Sequence, residues 1–263
     1  TGHLIVGNVD LTDLSGLEFL TSVSSTVYIG DNTEITSLDG LDNLTSVNSL
    51  SIYGNPELTS LHALSNLTSV SDTLSTTRNY ALTSLDGLSG VTSVERLSMY
   101  GTDLTSLDGL SNLMSVSDLS LFDNSELTSL DALSKLTLIG EDLYLSNNDA
   151  LTSLDGLSNI TSVISSLTVR GHAALTSLDG LSKLTSIGDS LSISGNTAIT
   201  SLSGLSNITS VGDRVSMSSN VNLRGIGLES LHTVGAYLHV ENHQELCADL
   251  VDDLENQLVV YAG

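Results

Sequence analysis

The sequence predicts an elongated, β-rich solenoid in which each repeat forms one coil. A phrase close to LTSLDGLSNLTSV recurs along the 263 residues, and its first leucine or isoleucine returns at steps of 22 to 24 residues. Its ten copies begin at Leu11, Ile35, Leu58, Leu82, Leu104, Leu127, Leu151, Leu175, Ile199 and Leu223. A leucine period of about 20–29 residues is typical of solenoids whose repeats stack on one another.

The spacing of aliphatic residues predicts the course of one coil. Leu143 and Leu145 alternate with polar residues, as in a short strand. Aliphatic side chains then follow at every third residue, a spacing that suits tight turns or one-turn helical pieces: Leu151, Leu154, Leu157, Ile160 and Val163. A single coil buries too little apolar surface to offset its backbone entropy, so stability must come from stacking.

The composition fits one domain with an aliphatic core. Hydrophobic residues make up 40% of the chain, aromatic residues only 3%, and tryptophan is absent. We expect a single solenoid over 1–263, with repeats over 1–246 and a helical cap over 247–263. The cap is predicted because leucines recur at every fourth residue, which is typical of an amphipathic helix: Leu246, Leu250, Leu254 and Leu258.

The repeat pattern L-x-I-x-x-N-x-x-L-x-x-L-x-x-L-x-x-L-x-x-I-G, seen from Leu191 onward, resembles the leucine-rich repeats of receptor L domains. The resemblance runs from Leu4 to Leu246. It implies a right-handed leucine-rich-repeat solenoid with a parallel β-sheet along one side. The repeats themselves predict about eleven coils, closed by the C-terminal capping helix. Receptor L domains form ligand-binding lobes of insulin- and EGF-type receptors, and related repeats occur in fungal wall and bacterial surface proteins.

Two polar columns follow from the repeat. The first consists of asparagines just after each strand, where a buried amide can satisfy backbone groups of neighbouring coils: Asn32, Asn55, Asn79, Asn124, Asn148, Asn196 and Asn220, with His172 in one coil. The second consists of aspartates in the Leu-Asp-Gly-Leu turn: Asp39, Asp86, Asp108, Asp131, Asp155 and Asp179. Capping of the turn is the favoured interpretation of these aspartates. No cofactor is expected, and calcium bound to this column is the alternative.

The net charge and the motifs of the chain narrow the classes of partner and of activity that are expected. The chain has 31 acidic and 7 basic residues, a net charge of −24, which excludes nucleic acid and anionic membrane as expected partners. The chain contains no run of about 18 apolar residues, so no membrane-spanning helix is predicted. No phosphate-binding loop or nucleophile elbow is present, so an enzyme is not expected. His239, Glu241 and His243 are the one candidate zinc site, and polar filling of the last coil is favoured over it.

The predicted strand face carries the candidate ligand-binding residues. Most outward positions hold serine or threonine, but Tyr53, Tyr100, Phe122 and Tyr144 gather within coils three to seven, with Arg96 and Arg170 on the same face. Exposed rings beside hydroxyls are typical of saccharide or protein recognition. The alternative is that tyrosine is simply a good strand residue and that the arginines offset acidic neighbours.

We therefore expect a non-enzymatic, extracellular or cell-surface recognition or adhesion module that binds a glycan or protein through its strand face. One alternative is a structural spacer of a surface protein. Another is an ice-binding protein, because two rows of threonines face outward on a rigid scaffold, one from Thr12 to Thr200 and one from Thr21 to Thr209.

Overall fold

The chain winds as a parallel β-solenoid over the residues that the computed structural model describes, which are 2–7, 11–257 and 259–260. One strand of each coil joins a long sheet, and we number the coils 1 to 11 after these strands. They are β1 (Leu4–Gly7), β2 (Ser22–Gly30), β3 (Ser46–Tyr53), β5 (Thr73–Thr77), β6 (Ser93–Tyr100), β7 (Ser115–Phe122), β8 (Leu143–Ser146), β10 (Leu167–Arg170), β12 (Leu191–Ser194), β14 (Val215–Ser218) and β16 (Leu238–Glu241). The predicted solenoid of about eleven coils is confirmed.

Shorter strands precede several of these. Strand β4 (Ser69–Val70) pairs with β3 at the edge of the long sheet. A second parallel sheet is formed by β9 (Ser162–Val163), β11 (Ser186–Ile187), β13 (Ser210–Val211), β15 (Thr233–Val234) and β17 (Val259–Val260). The two sheets meet at a corner of the coil, and coils 2, 4 and 7 to 11 have one more residue at this corner than coils 3, 5 and 6 do.

Coils 3, 5 and 6 lack this corner residue. Val47 and Leu50 of coil 3 are three positions apart, whereas Val163 and Leu167 of coil 8 are four apart. Without the extra residue the strand continues across the corner, so β3, β6 and β7 each run unbroken for 8 residues. The missing corner residue accounts for the two steps of 23 residues and for one of the two residues missing from the step of 22, the other being missing between Tyr100 and Leu104.

The core consists of the predicted aliphatic positions. In the coil from Leu143 to Val163, all seven predicted inward side chains are at most 1% exposed. Several of the turns between them are single 3₁₀ turns, as the three-residue spacing predicts: His62–Leu64, Asp108–Leu110, Asp131–Leu133, Asp155–Leu157, Asp179–Leu181 and Ser203–Leu205. Stacked rows of leucine therefore run the length of the solenoid.

The asparagine column forms a buried ladder of hydrogen bonds. The Asn196 Nδ2 donates to the carbonyl of Val169 in the preceding coil (2.9 Å), and its Oδ1 accepts the backbone N–H of His172 (3.1 Å). The seven asparagines are at most 1% exposed. The predicted structural role of this column is confirmed.

His172 completes the ladder less well than asparagine does. Its Nδ1 lies 3.3 Å from the backbone nitrogen of Asn148 and 3.2 Å from the backbone oxygen of the same residue. Its buried Nε2 has no hydrogen-bond partner among the described residues. Burial lowers the pKa of His172 below its ordinary value. The folded protein therefore holds this imidazole in its neutral form.

Replacing His172 with asparagine is expected to raise the free energy of unfolding by about 1–2 kcal/mol at pH 8, because the amide would satisfy the groups that the imidazole leaves unpaired. The gain should grow as the pH falls below about 6.5, since the unfolded chain takes up a proton there that the folded wild type does not. Denaturant unfolding of both proteins at pH 8 and 5.5 measures this. A variant no more stable than wild type at either pH would contradict the account.

The aspartates of the Leu-Asp-Gly-Leu turn do not cap it through their side chains, so that prediction is wrong in its choice of residue. In the 3₁₀ turn Asp155–Leu157, Asp155 is the first helical residue and Leu154 is the N-cap residue, and no side chain forms a capping hydrogen bond there. The cap-like bond comes from Ser153, whose Oγ accepts the N–H of Asp155 (3.1 Å). The same bond recurs between Ser177 and Asp179 (3.0 Å). The aspartate is left exposed in the first turn, where a negative charge is favourable.

The threonine rows link neighbouring coils. The Thr45 hydroxyl donates to the Thr21 carbonyl (2.9 Å), and Thr128 donates to Thr105 in the other row (3.0 Å). The same bond continues to Thr209, which donates to Thr185 (3.2 Å). These hydroxyls therefore stabilise the stack, a role that the sequence did not indicate.

The predicted cap helix is present as α1 (Ala248–Gln257). Leu254 is 5% exposed, and Leu246 packs against the core. The helix does not fill the whole of 247–263, because Val259–Val260 form strand β17 against β15. Leu258, the last residue of the predicted leucine series, lies outside the described residues.

Candidate functional site

The strand register aligns the outward side chains in two columns. One column is Ile5, Tyr28, Ser51, Ser75, Ser98, Ser120, Tyr144, Thr168, Ser192, Ser216 and His239. The other is Gly7, Gly30, Tyr53, Thr77, Tyr100, Phe122, Ser146, Arg170, Ser194, Ser218 and Glu241. All four predicted aromatic residues therefore lie on one face, within coils 3 to 7.

These four rings and the side chain of Arg78, which lies between two of them, form a continuous row on the strand face. We call this row the aromatic ridge: Tyr53, Arg78, Tyr100, Phe122 and Tyr144. The rings of Tyr100 and Phe122 stack with centroids 4.3 Å apart and an interplanar angle of 9°. Tyr144 meets Phe122 edge to face, with centroids 6.1 Å apart. The ridge crosses four coil steps, which is about 19 Å at the usual strand spacing.

Arg78 joins the two halves of the ridge and was not among the predicted site residues. Its Cζ lies 5.8 Å from the ring centroids of both Tyr53 and Tyr100, and its Nη1 donates to the Tyr53 hydroxyl (2.9 Å). The side chains of Tyr100 and Tyr53 raise the pKa of Arg78 above its already high value. The guanidinium is therefore a permanent cation within the row of rings.

The backbone at Arg78 is unusual for an arginine. Its φ of 54° belongs to a column of left-handed residues that directly precedes the asparagine ladder. The other members of the column are Asp31, Gly54, Gly101, Asp123, Asn147, Gly171, Gly195, Ser219 and Asn242. For residues other than Gly, Asn and Asp, the Cβ atom makes this conformation unfavourable by about 1–2 kcal/mol. The position before each ladder asparagine is visible in the repeat, so Arg78 was detectable there as a departure from Gly, Asp and Asn.

The two predicted arginines lie apart from the ridge. Arg96 forms an ion pair with Asp72 and a hydrogen bond to Thr73 (3.3 Å). It lies four residues before Tyr100 on the same strand, about 13 Å away along the backbone. Arg170 is exposed and two strands beyond Phe122, about 10 Å across the sheet. The structure therefore brings together four of the six predicted residues.

Carboxylates stand at both ends of the ridge. At the Tyr144 end, Asp118 and Asp142 line a cleft of about 250 Å³ with Ser120, Ser166 and the Tyr144 ring. Burial, with the charges of Asp142 and Glu141, raises the pKa of Asp118, and Arg96 opposes this only in part.

At the other end of the ridge, Asp31 lines a groove of about 400 Å³ together with Tyr53, Arg78, Tyr80 and Tyr100. Tyr80 is 53% exposed there. The groove adds a carboxylate and a further ring to the site at the edge of the strands.

The described residues hold no group of three or more His, Cys, Asp or Glu side chains that could hold a metal ion. His239 and Glu241 do share a strand face, with His239 Nε2 3.4 Å from Glu241 Oε2, while His243 Nδ1 contacts the carbonyl of Asn220 (3.1 Å). Among the same residues, no helix has the length and apolar character that crossing a bilayer requires.

Two family models match this chain. The model of the leucine-rich-repeat domain of the endo-β-N-acetylglucosaminidase EndoS matches residues 26–126, and the model of the BspA-type leucine-rich-repeat region matches 119–242 in six copies. The chain is a leucine-rich-repeat protein. The EndoS-type match spans the ridge from Tyr53 to Phe122. Families of this kind are in general non-enzymatic.

Solved structures with some similarity to this leucine-rich-repeat protein include an internalin from Listeria monocytogenes. It is 20% identical, with 93% of this chain and 80% of the internalin covered and a TM-score of 0.38. A leucine-rich-repeat protein of Leptospira interrogans is 14% identical, with 95% of this chain and 93% of that chain covered and a TM-score of 0.19. The search among curated protein sequences gives no match.

Proposed function

We propose that this leucine-rich-repeat protein is a non-enzymatic recognition module, secreted or displayed on a cell surface, that binds a glycan or protein ligand through its strand face. The contact surface is the aromatic ridge with its flanking carboxylates. The match to BspA-type leucine-rich repeats fits such a role.

The observation that carries the proposal is that departures from the repeat concentrate at the ridge. In a uniform array each coil is a reference for the others, so a side chain that most coils lack is not required by the fold. Coils 9 and 10 have only serine in the two outward columns, at Ser192, Ser194, Ser216 and Ser218. The three strands that lack the corner residue, in contrast, end at Tyr53, Tyr100 and Phe122.

Two residues of coil 4 are less favourable for stability than their counterparts in the neighbouring coils. Arg78 takes a left-handed backbone conformation that glycine takes in the next coil at Gly101. In coil 4 the core position held by Ile52 in coil 3 is occupied by Thr76, which is fully buried and donates only to the Met99 sulfur (2.8 Å). Both residues belong to coil 4, which lies between Tyr53 and Tyr100, and locally unfavourable residues are typical of a functional site.

The test is binding of labelled protein to arrays of glycans and extracellular proteins in a calcium-containing buffer. The wild type is compared with a triple variant, Tyr53→Ala, Tyr100→Ala and Phe122→Ala. A second triple variant, Thr168→Ala, Ser192→Ala and Ser216→Ala, alters the same face away from the ridge. We expect array ligands that the control variant retains and the ridge variant loses, at an unchanged Tm.

Two outcomes would contradict the proposal. Array ligands that the ridge variant binds as well as wild type does would remove the ridge as the contact surface. An absence of any array ligand would favour a structural spacer, whose role does not depend on these rings. Thermal hysteresis measured on the same samples decides the ice-binding alternative, for which the threonine rows would be responsible.

A further inference from the structure

We infer that the ligand of the aromatic ridge is a protein that presents two groups of basic side chains, separated by apolar or aromatic residues. The inference rests on the proposed function and names the class of ligand for the same surface. It follows from which parts of the rings are open and from where the uncompensated charges lie.

At the centre of the ridge, the ring faces that a saccharide would stack on are occupied by other ridge side chains. Tyr100 has the Arg78 guanidinium from coil 4 on one side and the stacked Phe122 ring from coil 6 on the other. Phe122 in turn has Tyr100 against one face and is in edge contact with Tyr144. A sugar binds aromatic residues by lying on an open face, and the central ring of the ridge, Tyr100, has both of its faces in contact with other ridge side chains.

A row of ring edges with one arginine is suited to a protein surface. Tyrosine and arginine are enriched among the residues that contribute most to protein–protein binding, and stacked rings are already ordered before binding. The side chains of the ridge lose little conformational entropy on association, because each ring already contacts another ring or Arg78. A protein ligand would therefore contact a preorganised apolar strip about 19 Å long.

The negative charge at the Tyr144 end of the ridge indicates that the ligand places a basic side chain there. Asp118 and Asp142 stand beside the Tyr144 ring, and neither forms an ion pair among the described residues. The nearest available cation, Arg96, is already paired with Asp72. Two carboxylates next to an exposed ring provide the charge and the π-face that bind a lysine or arginine side chain.

A second acidic position lies at the opposite end. The Asp31 carboxylate sits over Gly54, where an added Cβ would come within 2.7 Å of its Oδ1, and lines the groove beside Tyr53. Asp31 and the Asp118–Asp142 pair are separated by four to five coils and about five strand positions, roughly 25 Å on a diagonal. An extended segment of about eight residues covers that distance.

The experiment is selection of a displayed library of random linear 16-residue peptides on wild-type protein, with depletion on the ridge triple variant. Selected peptides are expected to carry lysine or arginine near both ends of an apolar segment of about eight residues. Their affinity is then measured by fluorescence anisotropy for wild type, for Asp118→Asn with Asp142→Asn, and for Asp155→Asn with Asp179→Asn. The last variant removes the same charge from exposed turns away from the ridge.

We expect the Asp118/Asp142 variant to bind roughly tenfold more weakly and the Asp155/Asp179 variant to bind like wild type, at low salt and with matched Tm. Equal affinities for the two variants, or ridge-dependent peptides without basic residues, would overturn the inference. Ridge-dependent binding of a glycan on the arrays, without any ridge-dependent peptide, would overturn it while the proposed function stands. If no peptide, glycan or array protein depends on the ridge for binding, the proposed function itself fails.

Discussion

Replacing Asn196 with alanine is expected to lower the free energy of unfolding by about 4 kcal/mol. The amide group makes a bond to Val169 O (2.9 Å), accepts from His172 N–H (3.1 Å) and contacts Asn220 Oδ1 (3.3 Å), all of them fully buried. Alanine leaves two backbone groups without partners inside the protein, and each unsatisfied group costs about 1–3 kcal/mol. Denaturant unfolding followed by circular dichroism measures the difference.

A matched control is Asn207→Ala in the same region of the solenoid. Asn207 also donates to a carbonyl of the preceding coil, Ser182 O at 2.7 Å, but it is exposed, so water can replace the lost amide. We expect a loss of less than about 1 kcal/mol for this variant. If both asparagine variants are equally stable, the buried ladder does not hold the coils together.

Replacing Gly180 with alanine is expected to lower the free energy of unfolding by about 2–3 kcal/mol. A Cβ at this position would lie 2.0 Å from the carbonyl oxygen of Leu154 in the preceding coil and 2.2 Å from its carbonyl carbon. Both atoms belong to the backbone, so the turn itself must move and disturb the leucine stack. Ala63 and Ala132 hold the same place in two other coils, so the array can adapt, and the effect is a loss of stability without loss of the fold.

Gly225→Ala provides the comparison for this variant. Its added Cβ would meet only the Ser201 side chain, at 3.5 Å from Oγ, which is an ordinary contact. We expect Gly225→Ala to unfold within about 0.5 kcal/mol of wild type. An equally small change for Gly180→Ala would mean that the close approach of the turns has no energetic consequence.

The period of the repeat was enough to predict the fold and the strand register. Because each coil contributes one residue to each column, aligning the leucines also aligned Tyr53 with Tyr100 and Phe122, and the pairing of the strands confirms it. The capping residue was not predictable in the same way. Serine and aspartate two residues apart both suit a cap, and the choice of Ser153 over Asp155 depends on the local backbone.

The site was predicted only in part, because sequence columns give a face of the sheet but not the contacts across it. The rings were assigned to the correct face, yet the sequence did not indicate that Tyr100 and Phe122 stack. Arg78 was missed because it follows the strand, at a position outside the alternating pattern. Arg96 is predicted as a polar partner of the rings. In the structure it lies four residues before Tyr100 on the strand and forms an ion pair with Asp72 instead.

The central claim, that the ridge is the recognition surface, is tested most directly by Arg78→Gly. Glycine relieves the left-handed backbone at no steric cost, as at Gly54 and Gly101 on either side, so the Tm should stay the same or rise. The variant removes the cation between Tyr53 and Tyr100. Ser219→Gly makes the same backbone change outside the ridge and serves as the control.

The measurement is the Kd of wild type, Arg78→Gly and Ser219→Gly for the strongest ligand found on the arrays, by isothermal titration calorimetry. We predict about 30-fold weaker binding for Arg78→Gly, the effect of losing about 2 kcal/mol at a central contact, and wild-type binding for Ser219→Gly. Wild-type affinity in the Arg78→Gly protein, with its Tm preserved, would contradict the claim.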